Sequence, residues 1–234
     1  MKVSFQDVAR RTGRWIKIGI NTIEKNMETF MRIAVINEVS AQQKNGDIIK
    51  SLEGRGHEVL NLGMTGNPQL PELTYIHTGL MTAILLNSET VDFVVGGCGT
   101  GQGYLNAAMQ YPGIFCGLIS SPLDAWLFTQ INGGNCVSLP LNKDYGWAAD
   151  VNLRFIFDRI FSVERGGGYP ESRKGSQQKS REILSDISRI AHRPFYQILE
   201  EMPREIIKQV VHFPGFFSAL GEQAQTRLQK YFEV

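Results

Sequence analysis

The segment Val91-Asp92-Phe93-Val94-Val95-Gly96-Gly97-Cys98-Gly99-Thr100-Gly101-Gln102-Gly103 constrains this chain more than any other. An apolar, β-branched run breaks there into five glycines, a thiol and a hydroxyl. Such a run, closed by glycine, predicts a strand buried on both faces, over 91–96. Tyr104 to Met109 then reads as the opening of a helix over 102–111. Cys98 is therefore expected at the carboxyl end of a strand, in a loop that leads into a helix N-terminus. Open α/β sheets bind their ligands at such a place.

The loop's composition suggests its chemistry. Glycines let a backbone approach a ligand closely and aim its N–H groups inward. With a helix N-terminus behind them, those donors make an anion site. The same field favours a thiolate, so Cys98 reads as a base or nucleophile. The competing reading is a tight strand-to-helix turn around a buried thiol. Two familiar motifs are excluded. No Gly-x-Gly-x-x-Gly register fits, because Gln102 follows Gly97-x-Gly99 and Tyr104 follows Gly99-x-Gly101. No Gly-Lys-Ser/Thr closes the loop, so it is not an NTPase phosphate loop.

The remainder fits an enzyme-sized α/β chain. Of its 234 residues, 42% are hydrophobic and 20% charged, enough for a sizeable core. A net charge of +1 gives no field that recruits nucleic acid or membrane. Nothing reaches the length of a transmembrane span, and the first 30 residues lack the apolar core of a signal peptide. Cys98, Cys116 and Cys136 contain no Cys-x-x-Cys pair. That points to a reducing cytoplasm, with neither a disulfide framework nor a zinc site.

Along the chain, residues 1–30 are expected to be an extension, or the product of a start codon placed ahead of Met31; an ordinary N-terminal helix pair is the alternative. From 31, strands at 32–37, 57–62, 91–96, 114–119 and 135–139 alternate with helices at 41–55, 72–88, 102–111, 122–132 and 145–161. Alternation with short links implies right-handed crossovers and a five-stranded parallel sheet covered on both faces, a Rossmann-like three-layer α/β/α domain over 31–168. Residues 169–234 read as a helical C-terminal appendage, with helices at 176–191, 194–201, 203–212 and 221–233. The apolar cluster Phe213-Pro214-Gly215-Phe216-Phe217 is expected to dock on the core or on a partner subunit. Cys116 and Cys136, inside apolar strands, read as core thiols.

Cys98-Gly99-Thr100-Gly101-Gln102-Gly103 resembles the Cys-Gly-Thr-Gly-x-Gly loop of the ribose-5-phosphate isomerase B and galactose-6-phosphate isomerase family. Gly56-His57-Glu58-Val59 resembles that family's entry into its second strand, and Tyr75 falls on the Tyr of its Tyr-Pro-Asp segment. Counted without a gap from Cys98, Ile131-Asn132-Gly133-Gly134-Asn135 falls on its His-Asn-Asp-Ala-Asn segment. The match is to a longer branch, with Asn-Glu after the first strand and a Gly-Gly-Gly-Tyr-Pro segment.

The resemblance implies an aldose–ketose isomerase of a sugar phosphate, working through an enediolate without a cofactor or metal, as a homodimer or homotetramer. It implies Cys98 as the base that moves a proton between C1 and C2, with Thr100 holding the developing oxyanion. It implies Gly99, Gly101 and Gly103 as the backbone cradle. Asn37, Glu38, Tyr75, Gln102, Asn132 and Arg173 complete the implied substrate contacts. The chemistry agrees: abstraction beside a carbonyl needs a base and fixed donors where charge develops.

Two departures matter. The family's ring-opening His is Ile131 here, and its phosphate-contacting His after the first strand is Val39. The alternative implied is a sugar-binding or regulatory protein that kept the cradle and lost ring opening. A cysteine-nucleophile hydrolase is the weakest reading, because no His is placed by motif beside Cys98. His77, two residues after Tyr75, and Glu38 are the residues expected to replace the lost acid.

Overall fold

The computed structural model describes residues 30–143 and 145–232; the expectations for 1–29 lie outside the described residues. Five strands form one sheet: β1 (Arg32–Asn37), β2 (Glu58–Asn61), β3 (Phe93–Cys98), β4 (Cys116–Leu118) and β5 (Cys136–Pro140). Their order is β2-β1-β3-β5-β4, and all pairings are parallel. The first connection leaves β1 towards one edge, and the later ones leave β3 towards the other. The carboxyl ends of β1 and β3 therefore flank a topological switch point.

Strand alternation sends β1 and β3 side chains to two separate cores. Ile33, Val35, Phe93 and Val95 pack with α1 (Asn45–Leu52), α4 (Pro122–Leu127) and α5 (Ala149–Phe161). Ala34, Ile36 and Val94 pack with α2 (Tyr75–Asn87) and α3 (Gln102–Ala108) on the other face. The expected α/β/α layering is present. After it come α6 (Lys174–Ala191), α7 (Phe195–Glu201), α8 (Arg204–Val211), α9 (Phe216–Ala219) and α10 (Glu222–Phe232). Among the described residues, no helix is long and apolar enough to cross a membrane.

Several elements differ from the expectation. The helix expected over 41–55 is split: Val39–Lys44 is a 3₁₀ turn, and α1 begins only at Asn45. A network of asparagines explains the break. Asn45 Nδ2 donates to Asn37 Oδ1 (2.7 Å) and Asn61 Oδ1 (2.9 Å), and Asn61 Nδ2 returns a bond to Asn45 Oδ1 (2.8 Å). These amides, buried at Asn37 and Asn45, fix where the chain turns after β1, ahead of helical propensity. The helix expected over 122–132 becomes α4 followed by a π-helical turn, Phe128–Asn132. The Phe213–Phe217 cluster docks on this chain's own core: Phe213 and Phe216 are buried among α2 and the tail helices. An exposed apolar stripe lies instead on α6, at Ile183, Leu184, Ile187 and Ile190.

The end of β3 depends on a close approach. A Cβ at Gly96 would overlap the ring of Tyr104, which lies across the strand with no exposed surface. The buried hydroxyl of Tyr104 is satisfied by Thr82 Oγ1 (2.6 Å) and Cys136 Sγ (3.3 Å). Ring and strand are rigid on both sides, so Gly96→Ala is expected to cost about 3 kcal/mol, the upper part of the range for overpacking. Urea unfolding followed by circular dichroism measures it, and a loss under about 1 kcal/mol would contradict this packing.

Candidate active site

Cys98 is the last residue of β3 rather than a loop residue, and its carbonyl accepts from Leu141 N–H (3.0 Å). Only 6% of it is exposed. The chain then turns through Gly99 and Thr100 to Gly101, whose φ of +73° belongs to the left-handed region and caps α3. A side chain there would be strained, so glycine is required by the backbone. From beneath, the fully buried Ser138 of β5 donates to Gly101 O (2.6 Å) and fixes the turn to the sheet.

The turn after β1 faces this loop. Glu38 N–H donates to Gly97 O (3.1 Å), and the Glu38 side chain is only 5% exposed. Its carboxylate accepts a hydrogen bond from the Ser40 hydroxyl. Ser40 Oγ in turn accepts the Gly99 N–H (2.9 Å). Asn142, just after β5, donates from its side chain to Ser40 O (2.8 Å) and from its backbone to Gly99 O (2.9 Å). Three connections thus meet around the peptide that follows Cys98. Ser40, Asn142 and Ser138 carried no signal in the sequence; only their place after or within a strand marks them.

The other expected residues divide into three groups. Thr100 and Gln102 are exposed at the loop's tip, and Thr100 Oγ1 accepts from Gln102 N–H (3.3 Å). Gly103 lies under Tyr75: a Cβ there would sit 3.0 Å from the tyrosine ring. The loop Cys98 to Gly103 thus lies against the turn that carries Glu38 and beneath Tyr75, at the opening between the ends of β1 and β3. Asn37 is a correction. It has no exposed surface, and its amide is occupied by Met64 O (2.8 Å), Ala41 O (3.2 Å) and Asn45. It shapes the turn and presents nothing to a ligand.

Asn132 and Arg173 form the third group, and within one chain the structure does not bring them to Cys98. Asn132 ends the π-helical turn that precedes β5, whereas Cys98 is level with the last residue of β5, Pro140. The strand between them spans roughly 13 Å at 3.3 Å per residue. Arg173 ends a short 3₁₀ turn, Glu171–Arg173, beside the Gly166–Gly168 segment that bonds back to Thr129 O and Gln130 O. Arg181 Nη1 donates to Ile131 O (3.1 Å) and Nη2 to Gly166 O (2.8 Å), clamping that end of the sheet.

His77 does not serve the opening with its Nδ1, which accepts Thr74 N–H (3.1 Å) as a helix cap. Burial holds its pKa below the usual histidine value, partly offset by a hydrogen bond with Gln209. Among the described residues, no group of three His, Cys, Asp or Glu side chains is placed to hold a metal.

The profile of the ribose/galactose isomerase family matches residues 33–149, from β1 to the start of α5. A search of curated proteins gave no match. Among solved structures, a 4-deoxy-L-threo-5-hexosulose-uronate ketol-isomerase complexed with a tartrate is 42% identical, with a TM-score of 0.82 over 86% of this chain and 97% of that one. A ribose-5-phosphate isomerase from Vibrio parahaemolyticus is 39% identical, with a TM-score of 0.81 over 87% of this chain and 98% of that one. A type B ribose 5-phosphate isomerase from Leishmania infantum, 20% identical, shares the fold, with a TM-score of 0.57 over 70% of this chain and all of that one.

All three thiols are buried, but Cys98 ends β3 where the chain turns into its glycine loop, whereas burial pushes the Cys116 thiol well above its ordinary pKa, reinforced by Cys136. Iodoacetamide at neutral pH is therefore expected to modify Cys98 first, by at least about tenfold in rate. Peptide mass spectrometry reads the order, and prior modification of Cys116 would contradict it.

Proposed function

The chain belongs to the ribose/galactose isomerase family, and from that premise we propose that it is a ketol-isomerase of an acidic, open-chain sugar, with Cys98 as the proton-transfer base. The carrying observation is the pairing of an intact Cys98-Gly99-Thr100-Gly101 loop with Ile131 and Val39 at the two positions where the family has histidines. An aliphatic side chain moves no proton, so ring opening has no agent at position 131. An open-chain substrate requires none. The uronate named for the 42%-identical neighbour carries a carboxylate where a sugar phosphate carries its phosphate. That chemistry also suits the loss of a phosphate-contacting histidine at Val39.

In this reading Cys98 takes the proton from C2 while the electron pair moves onto the C1 carbonyl oxygen. The same thiol returns the proton to C1, and the hydroxyl proton passes from O2 to O1. The Gly99 amide is held by Ser40, so stabilisation of the enediolate falls to Thr100 and to the amides that open α3.

We further propose a homodimer, because one chain does not assemble the whole implied site. Asn132 and Arg173 lie at the far end of the sheet from Cys98, so a second copy would have to supply them. Ile183, Leu184, Ile187 and Ile190 recur at helical spacing on α6 and are exposed, Ile190 to 85%. A stripe of this kind suits burial against another chain.

Two measurements test these readings. Proton NMR in D₂O should show solvent exchange at C2 and turnover of an open-chain keto-uronate, with ribose 5-phosphate converted at least about a hundredfold more slowly. Cys98→Ala should lower exchange by about a hundred- to ten-thousand-fold, the range for loss of a general base, while binding persists. Saturable binding without any turnover would favour the sugar-binding alternative. Light scattering should give at least twice the mass of one chain, and Ile187→Asp should shift it towards the monomer with a fall in kcat. A wild-type monomer that turns over at full rate would overturn the dimer.

A further inference from the structure

The link between Glu38, Ser40 and Gly99 joins two parts of the opening that the family loop alone does not connect. Glu38 is almost entirely buried, yet it carries a carboxylate at the carboxyl end of β1. A buried carboxylate is tolerated only when donors meet it, and the Ser40 hydroxyl is the side-chain donor that does so. That hydroxyl has one proton, which Glu38 takes, so its lone pairs remain for an amide. The amide is Gly99 N–H, at 2.9 Å, belonging to the peptide bonded directly to Cys98. Asn142 holds Ser40 from behind through its carbonyl. A Cβ at Gly99 would lie 3.0 Å from Ser40 Oγ, so the two loops touch with little slack.

From this geometry we propose that Ser40 is a positioning residue. It orients the Glu38 carboxylate towards the substrate's hydroxyls and ties that carboxylate to the peptide that carries Cys98. The inference rests on the isomerase reading above. The proton between C1 and C2 travels on Cys98, and the accompanying hydroxyl proton must pass from O2 to O1. Glu38 is the carboxylate beside that path; it would take the proton from one oxygen and return it to the other, with no net change in charge. Ser40 makes the two transfers geometrically dependent, because a movement of the Cys98 peptide moves the hydroxyl that orients Glu38. Ser40 itself exchanges no proton with the substrate.

The test uses the full chain with the open-chain keto-uronate as probe. Ser40→Ala should lower kcat about ten- to a hundredfold, the scale of one hydrogen bond to a charged group, with KM changed less than about threefold. Ser40→Thr keeps the hydroxyl and should recover most of the rate. Glu38→Gln should lower kcat as well, and Ser40→Ala added to it should cost little more, since residues acting as a unit are not additive. A second readout needs no turnover: without its tether the Cys98 peptide loosens, so iodoacetamide should modify Cys98 at least about threefold faster in Ser40→Ala but not in Ser40→Thr. Unchanged kcat in Ser40→Ala, equal impairment of the Ala and Thr variants, or full additivity with Glu38→Gln would each overturn the proposal. If the wild type turns over no probe, the isomerase reading fails, and the alkylation rates alone then decide the positioning role: faster modification in Ser40→Ala with recovery in Ser40→Thr supports it, and equal rates overturn it.

Discussion

Parallel pairing of β1 with β3 is the constraint on which the rest of this structure depends. It sets Asn37 level with Gly97 and lets Glu38 N–H continue the ladder onto Gly97 O one residue beyond β1. The two strands end together, and their following segments must diverge because their crossovers run to opposite edges of the sheet. The gap between those segments is the opening. Every interaction that shapes it is a way of finishing two adjacent strand ends. Ser138 ties the loop to β5, Asn142 ties it to Ser40, and the asparagine network fixes the turn after β1.

Much of this was legible because its cause is local. β1, β3 and β5 are β-branched or apolar runs, and hydrophobicity continuous over a strand length reports burial on both faces; β2, with Glu58 and Asn61 exposed at its ends, is marked by its place in the strand–helix alternation. The helices of the sheet domain announce themselves by length and by their turn signals. What the sequence hid was cooperative. The break between the 3₁₀ turn and α1 rests on Asn37, Asn45 and Asn61, which are 8 and 16 residues apart and meet only after β1 and β2 pair. Ser40 and Asn142 meet across 102 residues. Asn37, the last residue of β1, is implied as a substrate contact by the family resemblance; its buried partners hold it to the turn that follows instead.

The tail shows the same division between composition and context. Phe213 and Phe216 are conspicuous in the sequence, and their apolarity points to docking on the core or on a partner subunit. The core takes them: they pack on the face of α2, with Phe195, Leu199, Ile207 and Leu228 beside them. The chain's exposed apolar stripe sits on α6, whose overall composition is polar. A helix that is hydrophilic on average can still present one apolar face, and only its spacing, not its composition, reveals that.

The glycine run that organises the chain is composite, and separating its members says which of them bear on chemistry. Gly96 is glycine because Tyr104 crosses the strand there, and Gly97 because Leu139 O would lie 2.5 Å from a Cβ. Neither needs a ligand to explain it. Gly101 answers to its own left-handed backbone. Gly99 and Gly103 remain, and each is crowded by a side chain that borders the opening, Ser40 in one case and Tyr75 in the other. A substitution at Gly96 or Gly97 therefore acts on the sheet. One at Gly99 or Gly103 acts on the wall of the opening while the sheet beneath is untouched. A glycine-rich motif read only as a cradle merges these two kinds of position. The neighbours of each missing Cβ distinguish them: backbone or a buried ring at Gly96 and Gly97, and the Ser40 and Tyr75 side chains at Gly99 and Gly103.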